Sequence, residues 1–292
     1  MNKEKILKAG KIASEVKKYA RTIVKKDVPL LEIAEKIEDK IVELGAKTAF
    51  PVNLSINEVA AHYTPGYDDK TLAHGLLKVD FGVHIDGWIA DTALSFDLEN
   101  NEENKKLIKA AEQAVKDASN IIKEGVALNE IGKTIQKTIE AYGFSPIVNL
   151  SGHSIDKYEL HSGITVPNID NNQDLSLPSG LYAVEPFSTT GNGKVYDGPD
   201  SEIYELINEK NVRSPIAREI LEFIKNEYKT LPFCSRWLVK KFGTKALLGL
   251  GQLKINRNLH QFSQLVETSK KKVAQAEDTI LIEEKEKIIT TI

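Results

Sequence analysis

The chain has 292 residues, enough to bury one large core or two ordinary ones. Its 39 basic and 42 acidic residues give a formal net charge of -3, which offers no electrostatic reason to expect a nucleic acid or an anionic membrane as the main partner. The single cysteine, Cys234, excludes an intramolecular disulfide and a thiolate metal cluster. The first residues enter a charged amphipathic pattern without an apolar signal core, and no apolar run could span a bilayer, so we expect a cytoplasmic protein.

The first hundred residues predict two helices followed by an antiparallel hairpin. The helices are expected from Lys3 to about Lys25 and from Leu30 to Leu44. The strands are expected at 76–85 and 88–96, because the intervening Asp86-Gly87 is typical of a two-residue hairpin turn.

This hairpin places two aspartates on one face. With Ile85 opposite Trp88, Gly82 lies opposite Asp91, and Asp80 lies two residues farther along the same strand. Diagonal neighbours of this kind are about 7–8 Å apart at the backbone, so their carboxylates can hold a pair of divalent cations about 3.5–4 Å apart. A register shifted by one residue would instead leave one aspartate exposed as an ordinary surface charge.

An internal repeat runs through the first two hundred residues. Residues 28–37 reappear as 126–135, and the isoleucines of each copy are four residues apart on one helix face, at Ile33, Ile37 and Ile41 and at Ile131, Ile135 and Ile139. Residues 52–55 and 75–81 recur in the same order as 148–151 and 180–186. Three ordered matches favour an ancestral duplication, although similar helix-then-strand units can also look alike without one.

The duplication predicts the other half of the site. Asp80 is matched by Glu185, and a partner for Asp91 is expected on a strand that returns later in the chain. The candidate is Glu277, within the predicted strand 274–282. By alternation, Asp278 faces away from it, and the residues that share its face are Gln275 and Thr279.

Helices also precede the strands of the second half, at Glu102–Lys123 and Ala127–Tyr142. Helices segregated from antiparallel sheet predict an α+β fold with two related halves. Equivalent residues of the two halves are expected to meet in a cleft on the axis between them.

An insertion at residues 201–270 separates Glu185 from Glu277 and opens the second hairpin. Three short helices are expected in it, from Pro215 to Tyr228, from 232 to 239, and from a Thr244 cap to Leu253. Its apolar residues are interpreted as a local core: Trp237, Leu238, Phe242, Leu247 and Leu248. Because its basic residues are mixed with acids, the three helices do not predict nucleic-acid binding.

Histidines near the acids are candidate ligands, since borderline divalent cations usually bind imidazole as well as carboxylate. His153 lies beside Gly152 after the repeated element, where a loop could bring its imidazole into the cleft. His62 follows the corresponding element of the first half. His74 and His84 are interpreted as surface or hairpin-edge residues, and His260 is assigned no role.

Seven ordered motifs resemble those of methionine aminopeptidases, most closely the type II enzymes in their short archaeal form. The motifs are Ala61–Pro65, Val79–Gly82, Asp91–Ala93, Ser151–Ile155, Glu159–Gly163, Val184–Pro186 and Ala274–Glu277. The resemblance covers nearly the full length. It implies the pita-bread fold, with a catalytic domain of residues 1–200 and 271–292 and an inserted, winged-helix-like helical subdomain at 201–270.

The resemblance also implies a dinuclear metal centre. Its ligands would be Asp80, Asp91, His153, Glu185 and Glu277, and it would hold two divalent ions of cobalt, manganese, iron or zinc. The implied reaction is removal of the N-terminal methionine from nascent proteins by a metal-bound hydroxide. The implied partners are therefore N-terminal Met-peptides, encountered at the ribosome by a monomeric enzyme.

Roles for four residues follow from the same resemblance. Glu185 would move the proton from the attacking water toward the leaving amine. His62 and His161 would contact the scissile peptide and stabilise the tetrahedral intermediate, and Phe50 would line the methionine pocket.

Near the last ligand the chain departs from the family pattern, at Lys272, Ala276 and Asp278. These departures predict a methionine pocket that is wider or differently shaped. Two other functions remain compatible with the fold. One is an X-Pro peptidase, which the helical insertion and the lack of an extra N-terminal domain disfavour. The other is a non-catalytic relative that binds RNA or protein, which would be expected to lose ligands that this chain retains.

Overall fold

The computed structural model describes residues 1–283 and 286–292, so residues 284 and 285 of the predicted catalytic domain lie outside the described residues. The helices are α1 (Lys3–Ile23), α2 (Leu30–Glu43), α3 (Glu102–Ile121), α4 (Leu128–Ala141), α5 (Pro215–Glu227), α6 (Ser235–Phe242) and α7 (Lys245–Ile255). Within the described ranges, no helix has both the length and the apolar character needed to cross a membrane.

The strands of the first half are β1 (Lys47–Ile56), β2 (Val59–Ala61), β3 (Leu76–Ile85) and β4 (Trp88–Asp97). Those of the second half are β5 (Ser145–Pro146), β6 (Ser151–Ile155), β7 (Thr165–Pro167), β8 (Gly180–Val184) and β9 (Phe187–Thr189). The remaining strands are β10 (Val195–Leu206), β11 (Phe233–Cys234), β12 (Leu259–Glu267), β13 (Val273–Gln275), β14 (Asp278–Glu283) and β15 (Glu286–Ile289).

In the first half, α1 and α2 pack on an antiparallel sheet with the order β1-β3-β4. Ile33, Ile37 and Ile41 are fully buried against this sheet, which confirms the predicted stripe. The hairpin register is also confirmed, because Ile85 pairs with Trp88 across a two-residue turn. Both turn residues have positive φ, 49° at Asp86 and 86° at Gly87, as a type I′ turn requires.

The second half repeats this arrangement. Helices α3 and α4 pack beside a sheet with the order β15-β14-β8-β6-β7, and the equivalent isoleucines, Ile131, Ile135 and Ile139, are fully buried. The predicted α+β fold with two related halves is therefore confirmed. Each half encloses its own apolar core between its helices and its sheet.

The two halves join where β4 meets the segment between β13 and β14. Ala93 and Glu277 exchange backbone hydrogen bonds of 3.4 and 3.1 Å, and the Thr92 hydroxyl donates to the Glu277 carbonyl at 2.8 Å. The single strand predicted over 274–282 is wrong. It divides at 276–277, because the backbone of Glu277 pairs with Ala93 of the first half. On either side of Glu277, Ala276 donates to the Pro186 carbonyl, and β13 and β14 pair with β9 and β8 of the second half.

The inserted segment combines α5, α6 and α7 with a sheet ordered β11-β10-β12-β2. The helix predicted from residue 232 begins only at Ser235, because Phe233 and Cys234 pair with β10. The predicted local core is partly wrong, since Leu247 and Leu248 are 38% and 70% exposed. The division into domains stays a prediction, and β10 runs through its first boundary at residue 201.

Candidate metal centre

Four acids and one histidine from both halves meet at the base of one cavity. Asp80 and Asp91 project from β3 and β4, His153 lies on β6, Glu185 follows β8, and Glu277 lies between β13 and β14. One oxygen or nitrogen atom from each of Asp91, His153 and Glu277 lies within 4.8 Å of the others. His153 Nε2 is 3.7 Å from Asp91 Oδ2 and 3.9 Å from Glu185 Oε1.

The chemistry of this cluster fits divalent cations. Within the described residues, no lysine or arginine forms a salt bridge with any of the four acids. Three buried atoms, Asp80 Oδ1, Asp91 Oδ1 and His153 Nδ1, have no hydrogen-bond partner in the described part of the chain. Buried carboxylates without a countercharge are costly, whereas oxygen and imidazole donors together suit manganese, iron, cobalt or zinc.

Burial and mutual repulsion raise the pKa of every acid in the cluster. Burial raises the pKa of Asp80 to about 7, against the lowering effect of a hydrogen bond from Gln275. Burial and, secondarily, the charge of Asp80 hold the pKa of Asp91 well above its ordinary value. The pKa values of Glu185 and Glu277 are raised in the same way, by burial first and by the neighbouring carboxylates second. Metal-free protein thus keeps protons on this cluster that the unfolded chain releases.

The stability of the metal-free protein is therefore expected to depend on pH at this cluster. Because the folded-state pKa of Asp80 is raised from 3.8 to about 7, the unfolded chain ionises first as pH rises. The contribution of Asp80 to the free energy of unfolding is fully present below 3.8 and is lost as pH rises through about 7, and the raised pKa values of the other three acids act in the same direction. Thermal melts in EDTA should show this fall, and it should be smaller in Asp91→Asn, where one ionising group has been removed.

Bound cations should reverse that loss, since they bind the ionised ligands. We expect Mn²⁺ to raise the melting temperature more at about pH 7.5 than at about pH 5. An equal rise at both pH values, or an unchanged pH slope in Asp91→Asn, would contradict this account.

Two further histidines face the cavity above the acids. His62 Nδ1 lies 3.2 Å from the Ser263 carbonyl, which can only accept, so the proton is on Nδ1 and Nε2 is left as an acceptor. Burial lowers the pKa of His62 to about 4. The pKa of His161 is also lowered, by the protein atoms that partly desolvate its ring, although the residue is exposed at the cavity. The rings of His161 and His153 meet edge to face with centroids 4.3 Å apart. Burial lowers the pKa of His153 to about 3, and the neighbouring His161 adds a smaller electrostatic effect in the same direction.

The cavity has a volume of about 350 Å³, and all eight residues singled out from the sequence line it. Phe50 forms part of an apolar wall with Leu160 and Pro232. Its ring lies directly over Gly82, where a Cβ would come within 2.5 Å of Phe50 Cε1. A larger residue at position 82 would therefore displace the ring from the cavity wall.

Other sequence-based interpretations need correction. His84 is only 6% exposed rather than lying at the surface: its Nδ1 accepts a hydrogen bond from the Gly87 amide. Lys272, Ala276 and Asp278 are outside the described lining of the cavity, so a wider or differently shaped methionine pocket stays a prediction and these residues would act on it only indirectly. Lys272 Nζ donates to Asn104 Oδ1, Ala276 packs on α3, and Asp278 forms an ion pair with Lys17. His74 is exposed, as expected, and His260, which was assigned no role, is exposed as well.

Sequence reasoning assigned no role to three polar residues of the site. Gln275 Nε2 lies 3.4 Å from both Asp80 Oδ2 and Glu185 Oε2. Asn53 lines the cavity and pairs across the sheet with Asp80, and Thr279 binds the backbone of Asp91. The alternation of side chains along the predicted strand had placed Gln275 and Thr279 on the same face as Glu277, and this pattern could have identified both as site residues.

Comparisons with known proteins find the same protein family over nearly the whole chain. It matches the family model of metallopeptidase family M24 over residues 4–284. The methionine aminopeptidase of Thermococcus onnurineus is 46% identical to it over 295 residues, which cover 99% of each chain. That of Pyrococcus abyssi is also 46% identical, over 296 residues that cover 100% of each chain.

Two solved structures share the fold. A thermophilic Arx1 has a TM-score of 0.82 at 16% identity, over 98% of this chain and 90% of that one. The methionine aminopeptidase of Thermotoga maritima has a TM-score of 0.70 at 21% identity, over 99% of this chain and 95% of that one. At such low identity, these two structures establish the fold alone.

Proposed function

The chain belongs to metallopeptidase family M24 and has its pita-bread fold, and we propose that the buried acid cluster is its reaction centre. It is a metal-dependent methionine aminopeptidase, which removes the N-terminal methionine from its substrates, as supported by relatives of that activity that are 46% identical over their full length. The observation that carries the proposed centre is the convergence of four acids and one histidine in a single cavity, with Asp91, His153 and Glu277 buried.

The proposed ligand set comprises five side chains: Asp80, Asp91, His153, Glu185 and Glu277. We assign two divalent cations to it, because four carboxylates offer more oxygen atoms and more negative charge than one ion needs. Cobalt, manganese, iron and zinc all suit this donor set. When bound, such cations lower the pKa of a nearby water and polarise a peptide carbonyl.

The protein's own residues would then position the substrate and move protons. Glu185 lines the cavity beside His153, and it would take a proton from the attacking water and give it to the leaving amine. His62 Nε2 is an acceptor and would bind the N–H of the scissile peptide. Neutral His161 retains one N–H, which would donate to the carbonyl oxygen as negative charge develops there.

Substrate selection would use the two ends of the cavity. The free α-amino group of the substrate would bind in its uncharged form beside Asp80, where its lone pair is available to a cation held by the cluster, so a free N-terminus would be needed. The apolar wall that contains Phe50 would hold the methionine side chain and select it by size. The partners are then N-terminal Met-peptides of nascent proteins, met in the cytoplasm at the ribosome by a monomeric enzyme.

The two other functions compatible with the fold have less support. An X-Pro peptidase activity would have to arise in a chain whose full-length curated relatives are methionine aminopeptidases. A non-catalytic role would give no reason for four clustered acids, two of them buried, that form no salt bridge with a lysine or arginine within the described residues. We therefore propose catalysis at this cluster.

The proposal is tested by metal-dependent release of methionine. Purified protein, freed of metal with EDTA, would receive Co²⁺, Mn²⁺, Fe²⁺ or Zn²⁺ separately, and free methionine from Met-Ala-Ser would be measured. Ala-Pro and Leu-Ala-Ser are the control substrates, for X-Pro cleavage and for pocket size. Absence of methionine release with all four metals, or faster cleavage of Ala-Pro, would refute the proposal.

A further inference from the structure

We propose that Gln275 is a positioning residue that couples the ligands of the two halves of the metal centre; this inference rests on the ligand set proposed above. Gln275 is 1% exposed and lies behind the acids rather than in the wall of the cavity. Its single amide nitrogen contacts Asp80 Oδ2 and Glu185 Oε2, both at 3.4 Å. Asp80 and Glu185 occupy equivalent places in the duplicated halves, so one side chain bridges the internal repeat.

The Gln275 amide contacts one oxygen of each carboxylate and leaves the other oxygen free for a cation. An Asn or Gln amide nitrogen carries two hydrogens and can donate one to each of two acceptors. Contact with Gln275 occupies Asp80 Oδ2 and Glu185 Oε2. The other oxygens point elsewhere: Asp80 Oδ1 has no partner among the described residues, and Glu185 Oε1 faces His153 Nε2 at 3.9 Å. Gln275 therefore selects which oxygen of each acid is available to a cation.

The backbone of Gln275 is held firmly enough for this task. Its N–H donates to Ser95 Oγ at 2.9 Å, and the Ser95 hydroxyl donates to its carbonyl at 2.7 Å. On the other side, Gln275 pairs with Phe187 of β9 in the second half. Two residues earlier on the same strand, Nζ of the buried Lys78 donates to the Val273 carbonyl at 2.9 Å. The residue is thus fixed to both halves before its side chain reaches the acids.

A neutral donor suits this position better than a charged one. A lysine or arginine here would neutralise the carboxylates and compete with the cations for them. An apolar side chain would leave the two acids free to rotate under their mutual repulsion. Partners that orient a metal ligand typically contribute about 10–100-fold to metal affinity.

The test measures metal binding without substrate. Titration calorimetry with Mn²⁺, and absorption spectra of the Co²⁺ protein, would compare wild type with Gln275→Met, which keeps the length of the side chain and removes the donor. We expect the affinity of Gln275→Met for Mn²⁺ to fall about 10–100-fold, with an altered Co²⁺ spectrum. If this variant does not fold, Gln275→Asn, whose shorter amide cannot reach both acids, should show a loss in the same direction.

Asn168→Leu is the matched control. Asn168 is also a buried amide at 1% exposure, but its Nδ2 donates to the main-chain carbonyls of Glu185 and Leu150, not to a carboxylate. It should lower the melting temperature while leaving the Mn²⁺ affinity within about twofold. Wild-type affinity in Gln275→Met, or an equal loss in Asn168→Leu, would overturn the positioning role. Failure of the wild-type protein to release methionine would instead refute the proposed function.

Discussion

Replacing Glu277 by glutamine is expected to lower the rate of methionine release by about 10³-fold, which corresponds to about 4 kcal/mol of transition-state stabilisation. Glu277 is 3% exposed, and one of its carboxylate oxygens lies within 4.8 Å of the candidate ligand atoms of Asp91 and His153. A neutral amide at this point is a poor ligand for a divalent cation. The measurement is kcat/KM for Met-Ala-Ser with added Mn²⁺ or Co²⁺, together with the metal stoichiometry by calorimetry.

The fold should survive this change. The contacts that join the two halves use the main chain of Glu277, which the substitution leaves in place. Burial and neighbouring carboxylates raise the pKa of the Glu277 carboxyl, so the neutral variant should melt at a higher temperature than wild type in EDTA near neutral pH. A rise in metal-free stability together with a loss of activity would identify a functional acid rather than a structural one.

Asp278→Asn provides a control one residue away. Asp278 faces away from the cavity, with Oδ1 2.7 Å from Lys17 Nζ and 2.8 Å from Thr291 Oγ1. Loss of this partly exposed ion pair should cost no more than about 1 kcal/mol of stability and leave kcat/KM within about twofold. Equal activity losses in Glu277→Gln and Asp278→Asn would show that the effect is not specific to the metal centre.

The largest effect on stability is expected at a buried ion pair between α2 and α6. Arg236 Nη2 lies 2.7 Å from Glu38 Oε1, and both side chains are almost inaccessible to solvent. The Trp237 indole N–H donates to Glu38 Oε2 at 2.9 Å, and the Val52 amide donates to Oε1 at 3.3 Å. This network attaches the inserted segment to the first half of the fold.

Arg236→Met should lower the free energy of unfolding by about 3–5 kcal/mol, because it leaves the Glu38 carboxylate buried without its countercharge. Burial already raises the pKa of Glu38, against the lowering effect of Arg236. Chemical denaturation at neutral pH measures the loss. The double variant Glu38→Leu/Arg236→Met should recover more than half of it, since a well-packed apolar pair often replaces a buried ion pair at little cost.

Two results with these variants would contradict the role given to the ion pair. If Arg236→Met costs less than about 1 kcal/mol, the pair behaves as a solvent-screened surface contact and does not secure the insertion. If the double variant is less stable than Arg236→Met, the packing volume at this junction matters more than the charge. Methionine release should persist in every variant that folds, because neither residue lines the cavity.

Local patterns were sufficient for the elements that form the first half of the site. The register of the hairpin depends on one dipeptide, Asp86-Gly87, whose positive φ angles match the strand twist, and this turn aligns Asp91 opposite Gly82. The equivalence of Asp80 and Glu185 could be predicted because a duplication conserves the order of local elements. Glu277 was identified by the same symmetry, although a long insertion separates it from its neighbours.

Residues whose partners are distant in the chain escaped the local patterns. Leu247 and Leu248 were expected in a core, but they point outward because α7 packs on α5 through Leu250 and Leu253 instead. His84 was expected near the surface, but Tyr158 covers it from the second half. In each case the burial of a side chain depended on what the rest of the chain placed against it.

Short segments were enough to predict the two halves, the hairpin register and the four acids of the site, because periodicity, turn chemistry and internal repetition are local properties. His153 was a candidate from its position after the repeated element, and the roles of Phe50, His62 and His161 came from the family resemblance. Long-range packing alone fixed the division of strand 274–282 at 276–277, the position of Gln275 between Asp80 and Glu185, and the pairing of Glu38 with Arg236. The physical reason is that hydrogen bonds and charges act over a few ångströms in space, whatever the separation along the chain. Their partners are therefore known only when the halves and the insertion are packed together.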